Sequence, residues 1–177
     1  MTTRVAFLRA VNLGKRRVDM KRLAAVTIDA GYDDVSTYVN SGNVVFDGTG
    51  RREAIEDRLQ TAYEREFGFE CTTFVRTASE LRRVLTEEPF DLTADDTYFV
   101  TFLKSSPTAA QVRDLEAMSN SFDTLVVRGR DVHWLMHGRS SDSPLTKRDW
   151  ERILGPNTST SRNTTMLGRL VAKFDTG

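Results

Sequence analysis

Three consecutive cations, Lys15, Arg16 and Arg17, fall between two short polar clusters that each carry glycine, Asn12-Leu13-Gly14 and Asn40-Ser41-Gly42-Asn43. Ammonium and guanidinium groups attract phosphate or carboxylate, and asparagine and serine add neutral hydrogen bonds. Glycine lets a backbone come close to a ligand. Such a set suits the binding of a small anion, phosphate- or nucleotide-like, and specifies no reaction. Arg9, Arg162 and Asn163 join it as further candidates for ligand contact. An unpaired buried guanidinium costs several kcal/mol, so Arg9 needs a carboxylate, carbonyls or a ligand if it is buried in a strand. Arg162 is weighed the same way, with Ser161 as a candidate cap of the last helix.

Other chemistries find less support. His133 and His137 are four apart on an expected strand and its following turn, so helical ligand spacing does not apply. A metal there would need Asp131 or Asp142 as well, and neither a metal site nor a cofactor is expected. Cys71 opens an apolar strand and reads as an inert core thiol. Ser41 lacks the Gly-x-Ser-x-Gly context of a nucleophile elbow. Asp33-Asp34, Glu87-Glu88 and Asp95-Asp96 fall in turns or linkers, where acids face solvent. No catalytic constellation is recognisable, and whether the chain is an enzyme stays open.

The elements that must position these residues can be read from periodicity. Residues 4–12 alternate as a strand, with Ala6, Leu8 and Ala10 on one face and Val5, Phe7, Arg9 and Val11 on the other. Asp19 caps a helix whose stripe is Met20, Leu23, Ala24 and Ile28, ending before Gly31. Strands at 35–39 and 44–47 flank the Asn40–Asn43 turn as a hairpin. A helix at 51–67 stops at Gly68, a strand covers 71–76, and a short helix covers 79–87. Residues 86–96 are acidic, contain Pro89 and lack periodicity, which marks 89–96 as a linker. The pattern then restarts: a strand at 97–104, a helix opened by Ser106-Pro107, and strands at 122–127 and 132–136. A second helix is opened by Ser143-Pro144, and a last helix covers 161–174.

Two passes of strand–helix–strand–strand–helix give an α+β class: two ferredoxin-like halves in tandem, each a split βαβ with an antiparallel sheet. The expected lobes are 1–88 and 97–177, the second with an extra C-terminal helix. In that topology strands one and three are central neighbours, so Asn12–Gly14 meets Asn43. The loop then enters the first helix, whose leading N–H groups favour an anion.

The 177 residues carry no net charge, which argues against a whole-molecule attraction to nucleic acid or acidic lipid. Local charge is uneven: residues 1–28 hold seven Lys/Arg and one acid, a patch of +6. One cysteine, no signal peptide and no membrane-length apolar run lead to a cytoplasmic expectation without membrane contact.

Four stretches carry a resemblance over nearly the whole chain: Phe7-Leu8-Arg9-Ala10-Val11-Asn12-Leu13-Gly14, Tyr38-Val39-Asn40-Ser41-Gly42-Asn43-Val44-Val45-Phe46, Phe74-Val75-Arg76-Thr77-Ala78-Ser79-Glu80-Leu81 and Thr160-Ser161-Arg162-Asn163. In these the chain resembles a bacterial family catalogued as domain of unknown function 1697. The resemblance implies a soluble protein of two ferredoxin-like halves, and no reaction, cofactor or partner. The chain departs from the family pattern at Lys15, where a second glycine is usual, and at Thr164-Thr165, where Trp-Asn often follows.

Three functional readings stand at this point. One is a binding module for a small anion at the strand-one/strand-three tip or between lobes. Another is an interaction or self-association module in which Asn40–Asn43 is turn chemistry only. The third is a weak nucleic-acid binder using the basic patch, disfavoured because the strands lack an RNA-recognition module's exposed aromatics.

Overall fold

The computed structural model describes residues 1–9, 11, 14–39 and 42–174. The chain divides into two compact units, Met1–Arg82 and Arg83–Gly177. The first runs β1 (Thr2–Leu8), α1 (Met20–Asp29), β2 (Asp33–Thr37), β3 (Asn43–Gly48), α2 (Arg52–Phe67) and β4 (Thr73–Thr77). The unit boundary lies inside α3 (Ala78–Thr86). The second runs β5 (Thr97–Leu103), α4 (Ala109–Glu116), β6 (Asp123–Arg128), β7 (Asp131–Met136), α5 (Lys147–Leu154), β8 (Ser159–Asn163) and α6 (Thr164–Phe174). The fold is a mixed α+β one with two four-stranded antiparallel sheets, ordered β2-β3-β1-β4 and β6-β7-β5-β8.

In the first unit, Ala6, Leu8, Val44, Phe46 and Val75 meet Leu23 and Val26 of α1 and Ile55, Leu59 and Tyr63 of α2 in one buried core. The α2 residues recur every four positions, which keeps them on one face of a helix. Thr27 ties the two helices together: its hydroxyl bonds Leu23 O at 2.8 Å and the Tyr63 hydroxyl at 2.7 Å. Gly68 ends α2 in the left-handed region at φ +75°, donating its N–H to Glu64 O, a cap conformation that costs a side-chain-bearing residue about 1 kcal/mol or more. On the other face of this sheet Val5, Phe7, Phe74 and Arg76 are buried as well.

In the second unit Leu103, Leu125, Val127 and Val132 pack with Leu115 of α4 and with Trp150 and Leu154 of α5. Buried Asp123 organises the edge of that core. Its Oδ1 accepts from the Trp134 indole and the Ser143 hydroxyl, each at 2.8 Å, and its Oδ2 accepts from Asn120 Nδ2 at 3.0 Å.

Several expectations need correction. The strand expected over 4–12 ends at Leu8, where the ladder to β4 stops, and Val11 joins Ala6 and Leu8 in the core rather than the face of Val5 and Phe7. Ala10, also placed on that strand, lies outside the described residues. The second strand is Asp33–Thr37 rather than 35–39, with a register irregularity between Asp33 and Ser36. Ser106 and Ser143 are not the caps. Thr108 caps α4 and forms a reciprocal capping box with Gln111, while the Thr146 N–H and hydroxyl both bond Asp149 Oδ2 at the start of α5. Ser143 is engaged instead by Asp123. Residues 161–163 are strand, not helix: β8 pairs with β5 through Val100 opposite Arg162 and Thr101 opposite Ser161. Helix α6 starts only at Thr164, where Asn163 Oδ1 accepts from the Thr165 N–H at 2.8 Å.

Candidate functional site

The β1 residue that meets the start of β3 is Phe7, not the Asn12–Gly14 stretch expected there, of which Asn12 and Leu13 lie outside the described residues. Phe7 sits opposite Asn43, and the Leu8 N–H donates to Gly42 O at 2.9 Å. On the other side the Arg9 N–H donates to Thr72 O at 2.9 Å, just ahead of β4. Three candidates named from the sequence, Asn12, Asn40 and Ser41, lie outside the described residues. The described candidates of this half are half-buried Arg9, the exposed run Gly14–Arg17, and buried Gly42 and Asn43.

Asn43 is occupied by the hairpin. Its Nδ2 donates to Tyr38 O at 2.9 Å, and its carbonyl accepts from the Tyr38 N–H at 3.0 Å. Gly42 has φ +75°, and a Cβ there would stand 2.6 Å from Val11 Cγ2 and 3.0 Å from Leu8 Cβ. Close packing thus demands glycine at this turn, in line with the turn-chemistry reading of both residues. Val39 in the same turn has φ +52° and is half exposed, an unusual conformation for a β-branched side chain.

The cationic loop is differently placed. Gly14 (φ +55°), Lys15, Arg16 and Arg17 are exposed, and the Arg17 N–H donates to Lys15 O at 3.1 Å. Buried Val18 then anchors the chain, and Asp19 caps α1 by accepting from the Lys21 N–H at 3.0 Å. One of the leading amides expected to attract an anion is thus already engaged by a carboxylate, which also offsets the helix dipole. The cations, rather than the helix entrance, are what this loop presents to an anion.

Sequence reasoning missed two neighbours of the loop. The Arg16 guanidinium carbon lies over the Phe69 ring, 5.8 Å from its centroid. Phe69 stacks with Phe67 at 6.3 Å between centroids and 30° between planes. Both rings are half buried against the first unit's core. The signal was a pair of phenylalanines flanking the glycine that stops α2.

Arg162 and Asn163 belong to the second unit. Arg162 is buried on β8, where desolvation pushes its guanidinium down to about 10. Its Nη1 donates to Thr160 Oγ1 at 2.8 Å and Ser161 O at 2.9 Å. Asn163 serves as the side-chain cap of α6. Cys71 is buried, and burial with Glu64 nearby pushes its thiol up to about 11, so it is no thiolate nucleophile near neutral pH. Among the described residues no three His, Cys, Asp or Glu side chains are grouped to hold a metal, and no helix is long and apolar enough to cross a membrane. An open groove of about 550 Å³ between α1 and α2 is lined by residues of both charges, including Arg22, Asp29, Asp57, Arg58, Arg65 and Glu66. Arg22 and Glu66 there are already paired, Nη2 to Oε2 at 2.9 Å.

Among solved structures, the chain is similar to conserved bacterial protein SP0830 from Streptococcus pneumoniae. The TM-score is 0.71 at 16% sequence identity, over 99% of each chain. At that identity the likeness speaks for the fold alone. No curated protein matches the chain. The family model described as "Protein of unknown function (DUF1697)" matches residues 1–133, a span that includes the β1 end, the cationic loop and the hairpin turn, and the chain belongs to that family.

Proposed function

We propose that the protein is a binding module for a small anionic, phosphate-bearing ligand held by the loop between β1 and α1. One observation carries this reading: Lys15, Arg16 and Arg17 are all exposed, in consecutive positions just ahead of buried Val18. The Leu8–Gly42 backbone bond lies before this run, and the buried Val18 with the Asp19 cap lies after it. On this reading the cationic side chains supply the main contacts, and one amide of the helix entrance, that of Lys21, is already engaged by Asp19.

The same reading takes each unit as ferredoxin-like, supported by the strand order and antiparallel pairing of both sheets, with residues 89–96 as a linker and a cytoplasmic location. The test is a thermal-shift titration of the full chain with inorganic phosphate and phosphorylated metabolites, at low salt. Ligand linkage raises the melting temperature of the native chain with concentration, and the Lys15→Ala/Arg16→Ala/Arg17→Ala variant shows no such rise. Equal shifts in both proteins, or none in either, would refute the assignment.

A further inference from the structure

We infer that the ligand's organic part is a planar heteroaromatic ring, so that the loop takes a mononucleotide rather than a bare phosphate or a sugar phosphate. The inference rests on the anion-binding reading above and adds a second requirement to it. Arg16, the middle cation, lies over the Phe69 ring at 5.8 Å, and Phe69 stacks with Phe67. The guanidinium is planar, belongs to an exposed residue, and has its carbon within cation–π range of an aromatic ring. Guanidinium planes and aromatic rings are the surfaces on which nucleobases stack, whatever the base. Lys15 and Arg17 precede and follow Arg16 in the chain, and both are exposed, which puts further positive charge beside a ring stacked there.

Simple anion binding needs charge alone, and lysine would serve at the middle position as well as arginine. The tie between Arg16 and Phe69 is the feature that a plain phosphate site leaves unused. A single guanidinium–aromatic stack fits one base. With no net charge on the chain to follow a long backbone, the occupant is a mononucleotide and not a nucleic-acid strand.

The experiment is calorimetric titration of the full chain at fixed low ionic strength with inorganic phosphate, adenosine monophosphate, uridine monophosphate and a short oligouridylate. Both mononucleotides are expected to bind at least about fivefold tighter than phosphate, the lower end of what one base stack is worth, with little preference between bases. Arg16→Lys, which keeps the charge and removes the plane, is expected to bind phosphate as the native chain does and to lose the nucleotide advantage. Equal affinity for phosphate and nucleotides in the native chain would overturn this inference and leave the anion site standing. An undiminished nucleotide advantage in Arg16→Lys would overturn it too. Absence of all binding would remove both readings. An oligouridylate bound more than about tenfold tighter than the mononucleotide would replace the single-nucleotide occupant with a strand.

Discussion

His133 offers a perturbation whose sign and size follow from the structure. Its side chain is fully buried on β7, with Nδ1 hydrogen-bonded to the Tyr98 hydroxyl and the two rings stacked at 5.9 Å. Nε2 has no hydrogen-bond partner among the described residues. Burial holds the imidazole below its usual value of 6.5. Glu87 partly opposes that shift and Arg128 adds to it. The folded chain therefore refuses a proton that the unfolded chain accepts as pH falls through 6.5. Stability is full above that value and declines below it, by up to about 1.4 kcal/mol per pH unit for one proton, until the folded-state value is reached. The assay is urea unfolding from pH 8 to pH 5 of the native chain, His133→Leu, Tyr98→Phe and the double variant. His133→Leu should flatten the slope below pH 6.5 by up to that amount, while His137 is common to both proteins and cancels in the difference. Tyr98→Phe leaves both imidazole nitrogens without partners and should cost about 1–3 kcal/mol at pH 8. The double variant removes both partners with little change in volume, so it should be more stable than the two single costs added together. Parallel pH slopes in native and His133→Leu chains, or strict additivity in the cycle, would show that the pair is not a coupled buried unit.

Gly42→Ala should destabilise the chain by about 2–4 kcal/mol, combining left-handed strain with the clash against Val11 and Leu8. Gly14→Ala, with φ +55° and no atom within 4 Å of the new methyl, should cost only about 1 kcal/mol in the same denaturation series. Thr108→Ala should lose about 1 kcal/mol with its capping box, whereas Ser106→Ala should be close to neutral. Equal effects at the two positions would contradict the cap geometry.

How legible each element was depended on whether its cause was local. Helix α2 declared itself through Ile55, Leu59 and Tyr63 and through Gly68, since both a helical stripe and a left-handed stop are written in consecutive residues. Strand β8 did not. Residues 159–163 carry no apolar alternation, and what makes them a strand is the ladder to β5 and the 2.7 Å bond between the Thr101 and Ser161 hydroxyls. The caps show a finer version of the same lesson. Ser106-Pro107 and Ser143-Pro144 look like helix openings, but the residue that caps is the threonine with a partner three positions on, Gln111 for Thr108 and Asp149 for Thr146. A cap needs a reciprocal group at the third helical position more than it needs proline beside it.

The tip was legible only in part, because asparagine, serine and glycine serve a tight turn and a ligand equally well. Packing separates the two uses. Asn43 closes the hairpin on Tyr38, and Gly42 admits Val11 and Leu8 beside its Cα, so their residue types are accounted for without a ligand. The loop cations serve neither of those purposes in the first helix. Lys15, Arg16 and Arg17 neither cap α1, which Asp19 does, nor fill its core, which Val18 enters. Only the tertiary fold brings Arg16 to Phe69, since no local period links a loop after β1 to the segment between α2 and β4. Replacing Phe69 by leucine keeps most of the buried apolar area and removes the ring under Arg16. If the guanidinium is oriented by that ring, Phe69→Leu should weaken nucleotide binding toward that of phosphate while leaving the phosphate affinity itself in place.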